Sequence, residues 1–532
     1  MDVSPSKPTP AVGPDSQLEV VLRASRRTHF VRAALVGLCA GLLAVMFRRG
    51  LALAEAGRAF LLTILYGYPT WGWAVLPATG LCLGGLVGWM TTRFSPEAAG
   101  SGIPHLKGVL LQVRTLHWKR LIPVKFIGGI LGIGAGLSLG REGPTVQMGA
   151  AVARALAGVL RTPEGDLPQL FSAGAGAGLA SAFNAPLAGL LFVIEELHRE
   201  LSSRTAAGAL VAAVCATVVT QLFAGDTASF QAYGLAALPL AALPLALVVG
   251  ICGGAGGVLF NKSLLNAQRF AKGFERIPYW TLPGIAGFIA GLLAWWLPEA
   301  LGGGQIMAEQ LLGGTVTFGV VTLTLVFIAK LILTALSYGS GAPGGIFAPM
   351  LLLGAVLGTM FAKGTAFVLP GHAFHAAAQA MAVLGMGAFF VGSVRAPMTG
   401  IVLISELTGG YDLLFPICIA CLAAYLVAEA MGDLPIYDAL LEADLERTGH
   451  GHARVEPRTI YIGIQLGSAL DGKRVSQAGL PRGCLIIAIE RGGTTLLPAA
   501  DSVLHAGDHL SILAPGDRPD APLEIVKLCT GM

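Results

Sequence analysis

Glu142 stands in Gly140-Arg141-Glu142-Gly143-Pro144, between the apolar, glycine-rich run VKFIGGILGIGAGLSL and the apolar AAVARALAGVL. A carboxylate at membrane depth is costly enough that its default reading is functional. Two further motifs share the local design, Gly100-Ser101-Gly102-Ile103-Pro104 and Gly344-Gly345-Ile346-Phe347-Ala348-Pro349. Each sets glycine, which lets backbone approach a ligand, just before a proline suited to the first turn of a helix. Each predicts a helix N-terminus inside the membrane. Such termini expose unpaired N–H groups and the positive end of the helix dipole, and several converging on one point make an anion site without a buried cation. Partial charges and hydroxyls hold an anion loosely enough to release it, where a buried Arg or Lys would hold it too tightly.

The elements that must position these motifs are membrane helices. The chain has 532 residues, of which 54% are hydrophobic and only 12% charged, with 73 glycines, and this excludes an ordinary soluble globular protein. Apolar stretches recur from about residue 30 to about residue 435, among them VRAALVGLCAGLLAVMF and VTLTLVFIAKLILTAL. Many are cut by Gly and Pro, and broken helices persist in a bilayer only where protein or an aqueous cavity satisfies the freed backbone groups. The pattern favours a transporter or channel. The Pro- and Ser-rich start, MDVSPSKPTPAVGPDSQ, reads as a disordered tail and not a cleaved signal. Arg23, Arg26, Arg27 and Arg32 flank the first span and point to a cytoplasmic N-terminus. A net charge of +4 implies no nucleic-acid partner.

Segments also repeat in order. GPTVQMGA at 143–150 matches APMLLLGA at 348–355, and APLAGLLFVIEEL at 185–197 matches APMTGIVLISEL at 396–407. Two matches in register argue for two homologous halves, a common transporter construction with the substrate site at the repeat interface. The order of the matches does not say whether the halves are inverted.

GSGIP, GREGP and GGIFAP, together with Tyr437 in LPIYDALL, resemble the anion-site motifs of the CLC chloride channel and transporter family, in matching order over roughly residues 30–440. The resemblance implies an all-α polytopic membrane protein of the CLC-type inverted repeat, built from broken, tilted helices, working as a homodimer with one anion pathway per subunit. It implies that the Ser101 and Tyr437 hydroxyls and the backbone N–H groups of Ile346 and Phe347 coordinate a central chloride. Ser101 stands at the position where nitrate-preferring members carry proline. Glu142 matches the gating glutamate: deprotonated, it occupies an outer site lined by helix N-termini, and protonated, it swings away. Glu196 matches the internal proton glutamate, where passive channels carry an apolar residue. Its neighbour Glu195 aligns with Glu406 in the repeat, which marks Glu195 as structural. Both acids together favour a proton/chloride antiporter of a bacterial inner membrane; the alternative is a passive, voltage- or pH-gated chloride channel of the same fold. His105 and Lys107 depart from the acids of familiar bacterial exchangers and read as cytoplasmic-side charges with an electrostatic effect on local pH tuning.

Blander readings stand beside these. Ser101 could cap its own helix, Tyr437 could belong to an interfacial belt, and Glu196 could be a solvated acid at a helix end. Ser101 with His105 raises an intramembrane hydrolase, which needs a base oriented toward the serine. The expectation is that the chain is not an enzyme and needs no cofactor or metal. Cys418 and Cys421 form a CxxC in an apolar run with no second pair, so buried reduced thiols are expected there. Arg395 reads as an anchor at a helix end.

After Tyr437 the composition changes. EADLERTGHGHARVEPR is a polar linker, followed by TIYIGIQ, a helix expected over GSALDGKRVSQAG, then the β-rich runs CLIIAIERGG, TTLLP and HLSILAP. This tail resembles the TrkA-C (RCK-C) regulatory domain of bacterial ion transporters, so a small C-terminal α/β cytoplasmic domain is expected, with an unknown small ligand or ion, or dimerisation, as its role. The tail alone would suggest a potassium transporter, but the chain has no TVGYG-like filter. The expected organisation is an N-terminal tail and start of the first helix over 1–28, a membrane domain over 29–440, a linker over 441–456 and the regulatory domain over 457–532.

Overall fold

The computed structural model describes residues 14–198, 202–225, 230, 238, 242–273, 277–314, 318–368, 378–448, 458–515 and 520–531. Residues 1–13 of the stretch read above as a disordered tail, and the later part of the linker, lie outside them; Pro14–Gln17, the rest of that stretch, are not disordered but open the helix Pro14–Leu65. Among the described residues seven helices are long and apolar enough to cross a bilayer, from Arg27–Leu65 to Tyr411–Ala430. Shorter apolar helices, Ala378–Val394 and Pro397–Thr408, fill the interior between them. The chain is a multi-pass membrane protein.

The duplication seen in sequence is a duplication in space. Gly149 packs on the backbone of Gly174, and its counterpart Gly354 packs on Gly385; an added Cβ would lie 2.1 Å from the Gly174 carbonyl oxygen and 2.4 Å from that of Gly385. A further pair is PEAAG at 96–100 and PEALG at 298–302. Each opens as a 3-10 turn, Pro96–Ala98 and Pro298–Ala300. Each is held by a fully buried lysine: Lys125 Nζ donates to the carbonyls of Ala98 (3.0 Å) and Gly100 (2.6 Å), and Lys330 Nζ to those of Ala300 (3.2 Å) and Gly302 (2.6 Å).

The halves are inverted about a two-fold that runs through equivalent residues. Gly140 and Gly345, each four positions before its motif's proline, exchange both backbone hydrogen bonds at 2.7 Å in an antiparallel bridge. The acids of the repeat cross over in the same sense. Glu195 accepts from the Met398 N–H (3.0 Å) and from the Thr399 N–H and hydroxyl (both 2.7 Å), at the start of the Pro397–Thr408 helix. Glu406, on that helix, accepts from the N–H groups of Leu187 (3.1 Å) and Ala188 (2.8 Å) at the start of the Pro186–Phe192 helix, which leads into Glu195. A carboxylate on exposed first-turn amides satisfies donors that have no intrahelical acceptor.

The C-terminal tail folds around a hydrophobic cluster of its own. Four strands, β1 (Arg458–Gly463), β2 (Leu485–Arg491), β3 (Thr494–Leu496) and β4 (His509–Ala514), form an antiparallel sheet in the order β1-β4-β2-β3, followed by the helix Ala521–Thr530. The helix expected over GSALDGKRVSQAG is not there. Gly467, Gly472 and Gly479 take φ of 76°, 77° and 62°, values that end a right-handed helix, and only Val475–Gln477 makes a 3-10 turn. Asp471 ties the turn by accepting from the N–H groups of Gly467 and Ala506.

Candidate functional site

The three glycine-proline motifs meet. The Gly100 N–H donates to the Ala342 carbonyl (3.2 Å) and the Gly344 N–H to the Gly100 carbonyl (3.0 Å), which adds GSGIP to the Gly140–Gly345 bridge. Each motif then opens a helix: Ile103–Leu110, Glu142–Val159 and Phe347–Val368. The closeness depends on absent side chains, since a Cβ on Gly143 would lie 2.5 Å from Ser101 Oγ and 3.0 Å from the Gly345 Cα. Gly102, at φ 83°, turns the chain into its helix and leaves Ser101 outside the helical turn.

Ser101 is fully buried, and its Oγ has no hydrogen-bond partner among the described residues. It caps nothing. Tyr437, near the start of the Ile436–Thr448 helix, is equally buried, so it is not an interfacial belt residue. Its Oη lies toward Ser101 but closes no hydrogen bond of ordinary geometry, and it too is unpartnered. Buried hydroxyls without partners are uncommon in a packed interior; Thr162, Thr217 and Ser468 hold others, but Ser101 and Tyr437 lie toward one another where the helix starts meet. The Tyr437 ring lies 6.0 Å from that of Phe347, which stacks on Phe390 at 5.0 Å. Ile346 and Phe347, both fully buried, begin their helix, where amides lack intrahelical acceptors.

Glu142 is 2% exposed and is the first residue of its helix. Its carboxylate lies against its own N–H and that of Ala348, with Oε2 over the Cα of Gly140 and outside any hydrogen bond of ordinary geometry. A carboxylate among helix-start amides stands where an anion would be attracted.

Glu196 is equally buried and lies in a π-helical turn, Val193–His198, that extends the Pro186–Phe192 helix. Such turns are rare and recur at functional sites. As neighbours on a helix the two acids do not face the same way, and here Glu195 reaches the repeat and Glu196 reaches Lys107 at 2.8 Å. Lys107 also bonds Asp438, the residue after Tyr437. Lys107 is thus in direct contact with the candidate proton acid, a closer role than the general electrostatic one its position suggested. His105 faces elsewhere. Its Nε2 is 3.5 Å from Glu97 Oε2 and its Nδ1 is 3.4 Å from Gln147 Nε2. Neither ring nitrogen is paired with Ser101, so the serine–histidine arrangement a hydrolase needs is not formed. A cavity of about 500 Å³ lined by Glu97, His105, Arg114 and Tyr338 reaches the backbone of Gly100 and Gly102.

Arg395 does anchor a helix end: φ is 66°, and its guanidinium donates to the Gly392 carbonyl and lies 3.5 Å from Glu429. Cys418 and Cys421 are free thiols. Lys125 and Asp438 were missed in sequence. The rule that singled out Glu142 applies equally to Lys125, a charge inside VKFIGGIL. Asp438 carried no such signal, because it follows the last apolar stretch.

The model of the family described as "Voltage gated chloride channel" matches residues 83–429, most of the membrane region. The chain belongs to the CLC family. Among CLC relatives, it is 41% identical to the H(+)/Cl(-) exchange transporter ClcA of Yersinia pestis over 433 residues, covering 80% of this chain and 89% of that one. With the same-named transporter of Cronobacter sakazakii it shares 40% over 428 residues, 79% of this chain and 90% of the other. The solved structure of a slow cyanobacterial Cl-/H+ antiporter superposes with a TM-score of 0.75 at 34% identity, covering 80% of this CLC chain and 99% of that one. Residues 461–520 match the family described as "TrkA-C domain".

Proposed function

We propose that this CLC protein exchanges protons for chloride across a bacterial inner membrane, as a homodimer with both termini in the cytoplasm. The Ser101 and Tyr437 hydroxyls and the amides of Ile346 and Phe347 hold the central chloride. Glu142 is the gate and the external proton acceptor, and Glu196 is the internal proton acid. The observation that carries the reading is the meeting of three helix starts around two buried, unpartnered hydroxyls, with the Glu142 carboxylate at one of those starts.

The arrangement suits exchange. Hydroxyls and helix-start amides offer partial positive charge, enough to replace the hydration of a monovalent anion but not to trap it. A deprotonated Glu142 competes with chloride for amides of the same kind, and a protonated one no longer does. Proton and chloride then occupy one place in alternation. Glu196, retained behind the inner side of the site, gives the proton a separate way in, and this favours exchange over passive conduction. The kinship to transporters named for H(+)/Cl(-) exchange supports the same reading. For the tail, a small ligand or ion, or contact between the two copies, is the proposed role.

The test is a pair of variants in proteoliposomes. Glu142→Gln is expected to pass chloride without proton movement and without pH dependence, and Glu196→Gln to lose proton movement while chloride still passes. Unchanged proton pumping by either variant would refute the role given to that residue.

A further inference from the structure

We propose that Lys107 sets the pH at which Glu196 takes up its proton, as a positioning residue that holds the acid ionised until the pH falls. The inference rests on the reading of Glu196 as the internal proton acid. Lys107 Nζ lies 2.8 Å from Glu196 Oε1 and also bonds Asp438 Oδ1, and the Lys107 and Glu196 side chains are only 7% and 2% exposed. One ammonium therefore serves two carboxylates. It does so at the junction of the elements that carry the anion-site hydroxyls, since Lys107 is on the helix that follows Ser101 and Asp438 follows Tyr437.

Charges brought together out of water act strongly on one another. A cation in contact with an acid favours its ionised form, typically by 1 to 3 pH units. Other groups around Glu196 modulate this. Tyr437 and Asp438 face it from the Ile436–Thr448 helix, Asp438 through the shared lysine. On its own turn, Glu195 is turned to Met398 and Thr399, and the His198 Nε2 is 2.6 Å from Ser172 Oγ. Lys107 is in direct contact with Glu196 as a cation. Asp438 works against it twice, by drawing on the same ammonium and by adding a second negative charge.

The experiment is chloride-driven proton flux through the full-length protein in proteoliposomes, measured across pH. Lys107→Met is expected to move the midpoint of the acid-activated branch up by about 1 to 3 pH units. Lys107→Arg should bring it back toward the wild-type value, which a loss of packing alone would not predict. Asp438→Asn should move the midpoint down, because the ammonium then acts on Glu196 alone. A folded Lys107→Met protein with an unmoved midpoint overturns the inference. If that variant does not fold, Asp438→Asn decides: a midpoint that stays or rises overturns it. Glu196→Gln keeps the two readings apart. Persistent proton flux in Glu196→Gln overturns the assignment of Glu196, whereas its loss there with an unmoved Lys107→Met midpoint overturns only the role of Lys107.

Discussion

Replacing Glu195 by alanine removes the acceptor for three hydrogen bonds at the start of the Pro397–Thr408 helix, those from the Met398 N–H and from the Thr399 N–H and hydroxyl. A hydrogen bond to a charged group contributes ~1.5–3 kcal/mol, and an ordinary capping residue about 1. The Met398 bond is the most exposed of the three and is left out of the sum. The two Thr399 bonds are half-buried and carry the effect, so the loss is about 2–3 kcal/mol. Glu406→Ala frees only the two amides of Leu187 and Ala188 and should cost about 1–2 kcal/mol. The two caps share no donor but brace the same pair of helices, so the double variant should depart from the sum of the single losses. Thermal unfolding of the purified, detergent-solubilised protein, followed by size-exclusion chromatography, reads these losses as a lowered midpoint. Proton-coupled flux by Glu195→Ala should persist, because this acid faces the repeat partner and not Lys107. The reasoning fails if Glu195→Ala leaves the midpoint unchanged, or if it abolishes proton movement while Glu196→Ala does not.

Ser101→Ala and Tyr437→Phe should each weaken chloride binding about 12- to 160-fold, from the ~1.5–3 kcal/mol of one hydrogen bond to a charged group. Because neither hydroxyl is bonded within the protein, stability should barely change; calorimetric titration and a melting curve check both. Gly143→Ala should abolish chloride binding, because its Cβ meets Ser101 Oγ at 2.5 Å and the carbonyl oxygen of Ser101 at 2.7 Å; the same titration reads it. In the tail, burial opposes ionisation of Asp508. Its hydrogen bonds to Arg491 Nε (2.6 Å) and the His505 N–H (2.8 Å) outweigh this and hold its carboxyl below the usual carboxylate range. A depressed acid stabilises the fold above its unfolded value and ceases to do so as pH falls through its folded one. Limited proteolysis of the full-length protein should therefore find the tail resistant near neutrality and cut below that range, and Asp508→Ala should be cut at neutral pH.

Much of the site was legible because its chemistry is carried by backbone, and backbone exposure leaves a glycine-proline signature in sequence. GSGIP, GREGP and GGIFAP announced helix starts, and the structure brings all three together. Their common point was not legible, since it depends on an antiparallel bridge between Gly140 and Gly345 that no periodicity encodes. The same bridge gives the inversion of the halves, which aligned segments could not. Glu195 and Glu196 are one residue type side by side. Adjacent positions on a helix point in different directions, but which acid meets the repeat and which meets Lys107 is set by tertiary packing that the pair does not encode. Lys125 and Lys330 could have been found, because each is a charge in an apolar run. Their function of holding matching PEA turns would not have followed, since a five-residue match is too short to stand out. The helix expected over GSALDGKRVSQAG failed for a local reason, because left-handed glycines outweighed its helix-forming residues.

The most direct test of proton-coupled exchange is paired chloride and proton flux through the wild-type protein in sealed proteoliposomes. A chloride gradient imposed with no pH gradient should drive protons in the direction opposite to chloride and so build up a pH gradient. Chloride flux that moves no protons uphill would contradict the account and leave a passive chloride channel of the same fold.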